Sequence, residues 1–322
     1  MLAHRRNFGG NAVRLILVSV GAWLGAACAD SAPTAPSSAT DLSARLLSNA
    51  PAPTTFTFTP IDVQGAVATS PQGINAAGAI SGSYLDASGH VHSFILRDGV
   101  FTTVDFPDAD NTSVHGIGPS GDVVGNWRND DEEATAAHGF RRSADGQFSA
   151  VHFPDHLYEI PQRILADGTI LGCRHDHDLM GSMRGIRIAR DGLSEIGEAF
   201  ASMHNGATPD GQLVVGLYTN MNAGNRQEGY IIDRGVFTPF VIPGSTQTAA
   251  WDVNARGEIV GVYRDASGVH GFVKTAEGVT SLDYPGAVAT RAFGINARGD
   301  VIGTYQAVAG GPARGFLAIR EP

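Results

Sequence analysis

Two ten-residue stretches decide the fold. Residues 294–303 read Gly-Ile-Asn-Ala-Arg-Gly-Asp-Val-Ile-Gly, and residues 73–82 read Gly-Ile-Asn-Ala-Ala-Gly-Ala-Ile-Ser-Gly. Four weaker copies begin at Gly116, Arg163, Gly206 and Asp252. Corresponding positions in successive copies are 42 to 47 residues apart. Six copies at this spacing are typical of a repeat in which each unit forms one four-stranded blade.

Each copy opens a unit that contains four short apolar segments. A glycine such as Gly78 closes the turn after the first segment, where positive φ is needed. The second segment ends in an aromatic residue such as Tyr84. The third resembles His138-Gly139-Phe140, and a turn such as Asp98-Gly99 leads into the fourth. Asp-Gly between alternating apolar residues is a strong hairpin signal, so the units are predicted to be antiparallel β-meanders.

The phase of the repeat predicts how the array ends. Residues 56–62 match a fourth segment but precede the first complete unit, while the last unit stops after its third segment, at residues 315–319. The sequence therefore predicts an all-β, six-bladed β-propeller with four antiparallel strands per blade. The N-terminal strand, residues 56–62, completes the last blade and closes the ring, which removes the exposed sheet edges of an open array. A linear solenoid is the alternative.

The repeat resembles the HAF family of extracellular repeats. The motifs that carry the resemblance are His138-Gly139-Phe140, Pro285-Gly286-Ala287, Gly294-Ile295-Asn296 and the Phe-Thr-Thr-Val-Asp stretch at residues 101–105. The match covers roughly residues 56–320 and departs most in the third unit, at Arg163. The resemblance implies secretion and a propeller-like fold, and it implies no reaction.

The N-terminus reads as an export segment. Basic residues precede an apolar run of about thirteen residues at 15–27, too short to span a bilayer. Small residues before Cys28 resemble a lipoprotein box, so residues 1–28 are predicted to be a signal peptide with Cys28 as the lipidation candidate; ordinary cleavage near Ala29 is the alternative. Residues 29–54 are rich in Ser, Ala, Thr and Pro, which predicts a disordered tether. The propeller domain is predicted to occupy residues 55–322, in the cell envelope, as a lipid-anchored, periplasmic or surface protein, or outside the cell.

Charge narrows the range of partners. The formal net charge is −10, and Lys274 is the single lysine. Such a chain should repel nucleic acid and anionic membranes, so membrane contact is expected only through an N-terminal lipid anchor. With Cys28 modified or removed, Cys173 has no partner and no disulfide framework is expected. A monomer is expected.

The third unit suggests a metal site. Here the usual aromatic-containing stretch is replaced by Cys173, Arg174, His175, Asp176, His177 and Asp178. In an extended strand, residues 173, 175 and 177 share one face, and Cys and His are good zinc ligands. One unit earlier, the same loop holds Asp130, Asp131, Glu132 and Glu133. Equivalent loops of adjacent blades emerge on one face, so these residues together could bind a divalent cation. Two solvated loops are the alternative.

No sequence motif indicates catalysis. G-x-S-x-G, H-E-x-x-H and phosphate-binding glycine loops do not occur. His92, His138 and His270 occupy one repeat position, which holds Arg or Glu in the other units, so we interpret them as a polar edge. We expect a non-enzymatic binding or scaffold module at the cell surface or in the periplasm, with a protein or glycan partner. The alternative is a propeller hydrolase or lyase with a metal on the loop face.

Overall fold

The computed structural model describes residues 55–196 and 201–321. They form 24 β-strands, one short helix, α1 (Leu179–Ser182), and a 3-10 turn at Met221–Ala223. The predicted signal peptide, Cys28 and the tether lie outside the described residues. Within the described part of the chain, no helix is long and apolar enough to cross a membrane.

After an N-terminal strand, β1 (Phe56–Ile61), the strands fall into six sets, each a consecutive antiparallel meander. Set 1 contains β2 (Ala68–Ile74), β3 (Ile80–Leu85), β4 (Val91–Arg97) and β5 (Val100–Thr103). Set 2 contains β6 (Asn111–Ile117), β7 (Val123–Arg128), β8 (His138–Arg142) and β9 (Phe148–Ala150). Set 3 contains β10 (Tyr158–Ile164), β11 (Ile170–His175), β12 (Arg184–Ala189) and β13 (Gly192–Glu195). Set 4 contains β14 (Met203–Ala207), β15 (Leu213–Asn220), β16 (Arg226–Asp233) and β17 (Val236–Phe240). Set 5 contains β18 (Gln247–Val253), β19 (Ile259–Arg264), β20 (Val269–Lys274) and β21 (Val279–Leu282). Set 6 contains β22 (Ala289–Ile295), β23 (Val301–Gln306) and β24 (Arg314–Arg320).

The sheets number fewer than the sets. Sets 1 to 4 are four separate four-stranded sheets. Sets 5 and 6 share one eight-stranded sheet that includes β1, because a single parallel pair, Val269 with Ala289, joins β20 to β22. The expectation of six separate four-stranded sheets is therefore wrong: two adjacent sets approach closely enough at one point to be bridged.

The N-terminal strand completes set 6. β1 pairs antiparallel with β24, from Phe56 opposite Arg320 to Ile61 opposite Gly315. The ring of Phe58 lies 5.5 Å from that of Phe316, in an edge-on geometry typical of buried aromatic pairs. The pairing partner predicted from the repeat phase is confirmed, although the strand ends at Ile61.

The first strands of the six sets contact one another in a ring. Each first strand contacts the first strands of the two neighbouring sets, and the contact between β22 and β2 closes the ring. These strands are β2, β6, β10, β14, β18 and β22. This cyclic contact pattern, together with the sequential meanders, is that of a β-propeller. Every one of these inner strands has a bulge at the same place, which leaves one buried residue unpaired: Gln72, His115, Gln162, Asn205, Trp251 and Phe293.

The turn after each inner strand explains the Gly-Ile-Asn motif. In set 1, the side-chain oxygen of Asn75 accepts hydrogen bonds from the N–H groups of Ala77 and Ala79, each at 3.1 Å. Gly78 in the same turn has φ of 86°, a conformation that costs other residues energy. The Asn75 amide also donates to the Gly118 carbonyl of set 2, so the motif fixes the turn and links neighbouring sets.

Candidate functional site

The propeller axis is closed by a buried ion pair. The residue after each inner-strand bulge is glycine in four sets, and it is Arg163 in set 3 and Asp252 in set 5. Arg163 Nε lies 3.3 Å from Asp252 Oδ1, across the centre. The guanidinium also donates to the carbonyl oxygens of His115, Gln162 and Phe293 at 2.7–3.1 Å. Arg163 thus connects sets 2, 3, 5 and 6.

This arrangement leaves little room for a ligand on the axis. A Cβ atom on Gly116 would lie 2.4 Å from the Gln162 carbonyl oxygen, so the backbones are already in contact there. Burial raises the pKa of Asp252 despite the opposing charge of Arg163, and burial lowers the pKa of His115 to about 4. The axis is therefore packed at the level of these residues.

The two faces differ in charge. Turns between first and second and between third and fourth strands form one face, which we call the turn face. The other connections form the opposite, loop face. In sets 1 to 3, the loop face holds eleven acidic side chains and no Arg or Lys, in loops 86–90, 104–110, 129–137, 151–157 and 176–183. We call these five loops the acidic sector; its acids are Asp86, Asp105, Asp108, Asp110, Asp130, Asp131, Glu132, Glu133, Asp155, Asp176 and Asp178.

The rest of the loop face carries fewer acidic residues. Its described loops, 62–67, 221–225, 241–246, 265–268, 283–288 and 307–313, carry only Asp62, Asp265 and Asp283. Two arginines at strand ends contact the acidic sector: Arg128 Nη1 lies 3.9 Å from Asp130 Oδ1, and Arg184 Nη1 donates to the Gly181 carbonyl oxygen at 3.2 Å. The charge therefore belongs to one half of the loop face and does not follow from the repeat itself.

Histidines accompany the acidic loops. Seven of the eleven histidines lie in or beside the acidic sector, and six of them form pairs with carboxylates. The pairs, at 2.6–3.4 Å, are His90–Asp130, His92–Asp105, His138–Glu132, His152–Glu159, His156–Asp176 and His177–Glu133. Burial alone would lower the pKa of His92, but Asp105 and Asp86 raise it above its ordinary value.

Glu133 joins sets 2 and 3. Its Oε1 accepts hydrogen bonds from the Tyr158 hydroxyl and from His177 Nδ1, each at 2.6 Å. The bond to Glu133 raises the pKa of Tyr158 to about 12, and the bonds from Tyr158 and His177 lower the pKa of Glu133. The expected proximity of the acidic loop and the His/Asp loop is observed. Sequence reasoning did not find Tyr158, which nothing in the repeat distinguishes.

The proposed metal ligands are not arranged as expected. β11 ends at His175, so the prediction that residues 173, 175 and 177 share one strand face is wrong for His177. Cys173 and His175 are fully buried, whereas 73% of the His177 side chain is exposed. Burial raises the pKa of the Cys173 thiol, which opposes formation of the thiolate that binds metals. After the strand, Asp178 caps α1 and accepts a hydrogen bond from the Gly181 N–H group.

Metal binding by this region stays a prediction. Within residues 55–196 and 201–321, no three His, Cys, Asp or Glu side chains converge in a geometry ready to hold a metal ion. Other proposed ligands make separate contacts. Asp130 accepts a hydrogen bond from the Asn111 amide, Asp176 accepts one from the Leu157 N–H group, and Asp131 is exposed. One feature still favours a ligand, because the buried Nε2 atom of His175 has no hydrogen-bond partner among the described residues.

Set 5 contains an arrangement that superficially resembles a hydrolase triad. Ser267 Oγ lies 2.9 Å from His270 Nε2, and His270 Nδ1 lies 3.0 Å from Asp283. Ser267 Oγ and its backbone N–H also bond Asp265 Oδ1, at 2.6 and 2.7 Å. Ser88 makes equivalent bonds in set 1. Because the same Asp–Ser turn recurs in both sets, the arrangement is better explained as turn structure.

Comparison with known proteins supports the fold. No protein-family model matches the chain, and no curated protein matches it in sequence. The chain is similar to a structure assigned as TolB from Agrobacterium tumefaciens, with 12% identity, TM-score 0.53 and coverage of 84% of this chain and 98% of that one. It is also similar to the SapL1 lectin in complex with α-methyl fucoside, with 9% identity, TM-score 0.53 and coverage of 80% and 96%. The β-propeller domain of the Trilobed protease from Pyrococcus furiosus matches with 8% identity, TM-score 0.46 and coverage of 79% and 97%. At these identities the similarity concerns the fold alone.

Proposed function

We propose that this protein is an exported, non-enzymatic binding module whose acidic sector binds a positively charged partner, such as a basic segment of another protein. The observation that carries the proposal is the concentration of eleven carboxylates, without Arg or Lys, in the loops of one half of one face. Loops on a rigid scaffold are common recognition surfaces.

Electrostatic complementarity favours a cationic partner. Carboxylates at about 10 Å spacing or less reinforce one another, because screening at physiological salt acts over about 8 Å. Asp108, Asp110, Asp130, Asp131 and Asp155 are exposed, so their charges are available to a partner. A surface of one sign attracts ligands of the opposite sign and repels those of the same sign. Anionic glycans and nucleic acids are therefore poor candidates.

Protonation of His92 would make this binding sensitive to pH. Because the pKa of His92 is raised by Asp105 and Asp86, its ring is protonated on mild acidification and partly neutralises the sector. We expect the affinity for a cation to fall as the pH decreases below neutrality.

The remaining parts of the proposal concern architecture and location. We infer that the eight-stranded sheet comprises two blades, so that sets 1 to 6 form six blades. The single bridging pair, Val269 with Ala289, supports this, because all other pairings stay within a set of four strands. We further propose that residues 1–28 direct export, that Cys28 carries a lipid anchor, and that the domain acts as a monomer in the cell envelope.

The test uses a fluorescent decalysine peptide and the purified protein. Asp131 is exposed with no hydrogen bond or ion pair among the described residues, so Asp131→Lys should leave the fold intact. We expect this variant to weaken peptide binding several-fold, measured by fluorescence anisotropy at low salt. Asp233→Lys is the matched control, because Asp233 is also exposed and lies beside a turn on the opposite face. Equal weakening by the two variants would show that the net charge, and not the acidic sector, binds the peptide.

A divalent-cation site is the second candidate, and with it a loop-face hydrolase or lyase. The unpartnered Nε2 atom of His175, close to Glu133 and His177, is the observation that favours it. The test is the metal content of the purified protein against a variant with Cys173, His175 and His177 replaced by Ala. Equal metal content in the two proteins would exclude this site.

A further inference from the structure

Set 4 departs from the repeat at two neighbouring core positions. In every set, a glycine of the second strand lies opposite the last inner-strand residue before the bulge and opposite one residue of the third strand. In set 4, these two residues are His204 and Tyr230. The other sets hold apolar residues at both places: Pro71, Val114, Pro161, Ala250 and Ala292 at the first, and Phe94, Phe140, Ile186, Phe272 and Phe316 at the second. The polar pair of set 4 is therefore not explained by the repeat.

The contact between these two side chains fixes the tautomer of the histidine. The Tyr230 hydroxyl donates its proton to the Met203 carbonyl oxygen at 2.8 Å, since a carbonyl oxygen can only accept. His204 Nδ1 lies 2.6 Å from the same hydroxyl and must therefore donate in that contact. Burial lowers the pKa of His204 to about 4, so the ring is neutral and has one N–H group. Its Nε2 atom thus carries a free lone pair.

This lone pair has no donor. The His204 side chain is 7% exposed, and its Nε2 atom makes no hydrogen bond among the described residues. Unlike Nε2 of His175, this atom is not sealed from solvent. The ring packs against set 3, where a Cβ atom on Gly185 would lie 3.1 Å from its Nδ1 and Cε1 atoms. A buried acceptor of this kind indicates a water or a ligand at this point.

His204 lies at the inner end of a cavity of about 510 Å³ between sets 3 and 4. Leu171, Val214 and Ile232 form aliphatic walls, and Phe237 forms an aromatic wall. Turn residues 211–212 and 234–235 also line the cavity, so it opens on the turn face. His204 is the deep end because it pairs two residues farther from that turn than Val214 does. The volume is within the range of small-molecule sites.

The charged residues that line this cavity favour a neutral ligand. Arg187 donates to Asp191 at 3.0 Å, and Glu195 accepts from Arg174 at 2.9 Å, so both of these lining residues have counter-charges. Arg234 is exposed beside the opening. A cation would meet arginines at the opening, and an anion would meet the lone pair of the deep imidazole.

We propose that this cavity binds a small neutral phenol. Its hydroxyl group donates a hydrogen bond to Nε2 of His204, and its ring packs between the aliphatic walls and Phe237. A sugar fits less well, because its further hydroxyl groups would face aliphatic side chains without hydrogen-bond partners. The site lies between two sets and opens on the face opposite the acidic sector, so it is independent of the proposed function.

The experiment compares two ligands of similar shape on the full-length protein. It is titrated with p-cresol and with 4-methylanisole, the methyl ether that lacks the O–H donor, and binding is followed by ligand-observed NMR. We expect the ether to bind at least about fivefold more weakly, because Nε2 stays unpaired. His204→Ala should remove this preference. Alanine occupies the corresponding place in sets 5 and 6, so the backbone accepts it.

Phe237→Ala tests the aromatic wall and covers the case in which His204→Ala does not fold. We expect it to weaken p-cresol binding several-fold, because the ring loses its aromatic neighbour. Phe101→Ala is the matched control. Phe101 and Phe237 are each the second residue of an outer strand, each is 37% exposed, and each lies 5.2 Å from the ring of its third-strand neighbour. The control should bind p-cresol like the unmodified protein.

Three results would overturn the proposal. The first is that the unmodified protein binds no p-cresol, or binds 4-methylanisole equally tightly; ordered water would then be the donor to Nε2. The second is that a folded His204→Ala variant keeps the preference for p-cresol. The third is equal weakening by Phe237→Ala and Phe101→Ala, which would show that p-cresol binds outside this cavity.

Discussion

The ion pair on the propeller axis makes a quantitative prediction. Replacing Asp252 by glycine leaves the Arg163 guanidinium buried with three carbonyl oxygens and no counter-charge. Replacing Arg163 leaves a buried carboxylate held only by the N–H groups of Val253 and Ile295, at 3.0 and 3.1 Å. Loss of one partner from a buried ion pair typically costs 3–5 kcal/mol, so each single variant should lose about 3–5 kcal/mol of unfolding free energy.

The double variant should be less damaged than the sum of the single variants. Glycine occupies this position in the other four sets, at Gly73, Gly116, Gly206 and Gly294, so the backbone already accepts it. Removing both charges leaves neither one uncompensated. We predict a coupling energy of about 2–3 kcal/mol between Arg163→Gly and Asp252→Gly, the upper part of the range for residues in contact.

The assay is urea unfolding at pH 7, followed by circular dichroism, for the unmodified protein, both single variants and the double variant. The slopes with denaturant should agree among the four proteins, so that the midpoints report stability. Additivity of the two substitutions within about 0.5 kcal/mol would refute the argument that these residues act as a pair.

Three further predictions concern individual side chains. Burial lowers the pKa of His115 and His204 to about 4, so the folded state disfavours their protonation. Each histidine's contribution to the free energy of unfolding, about 3 kcal/mol, is complete above pH 6.5 and is lost as the pH falls toward 4. In an acid-unfolding experiment, His115→Gln should therefore lose less stability than the unmodified protein. The buried Cys173 thiol should react with a thiol reagent at the rate of unfolding. Phe58→Ala should lower stability by about 2 kcal/mol in urea unfolding, because β1 packs through this ring, and Thr59→Ala on the exposed face should change it by less than about 0.5 kcal/mol.

Order along the chain was sufficient to predict the pairing of β1 with β24. Counting four segments per unit leaves one spare segment at the start and one missing at the end, and this count is a property of the sequence alone. The joining of sets 5 and 6 depends on one contact, Val269 with Ala289, and therefore on how two edges approach in space. No periodic pattern encodes such a contact.

The candidate functional site could also be predicted only in part from the sequence. The proximity of Glu133 to His177 follows from the rule that equivalent loops of adjacent blades share a face. Arg163 and Asp252, which form the ion pair on the axis, are 89 residues apart in the sequence. A signal did exist, because these two charged residues of opposite sign are the exceptions at a position otherwise held by glycine. Recognising it requires knowing that the inner strands converge on one axis.

Thermal unfolding of the purified protein against a panel of ligands tests the proposed function most directly. The panel contains decalysine, divalent cations with and without chelator, and neutral glycans, since any ligand that binds only the folded state raises its stability. The account predicts an increase in melting temperature with decalysine that disappears at high salt and in Asp131→Lys. An increase in melting temperature with a neutral glycan alone would contradict the account. So would an increase with a divalent cation that the chelator reverses.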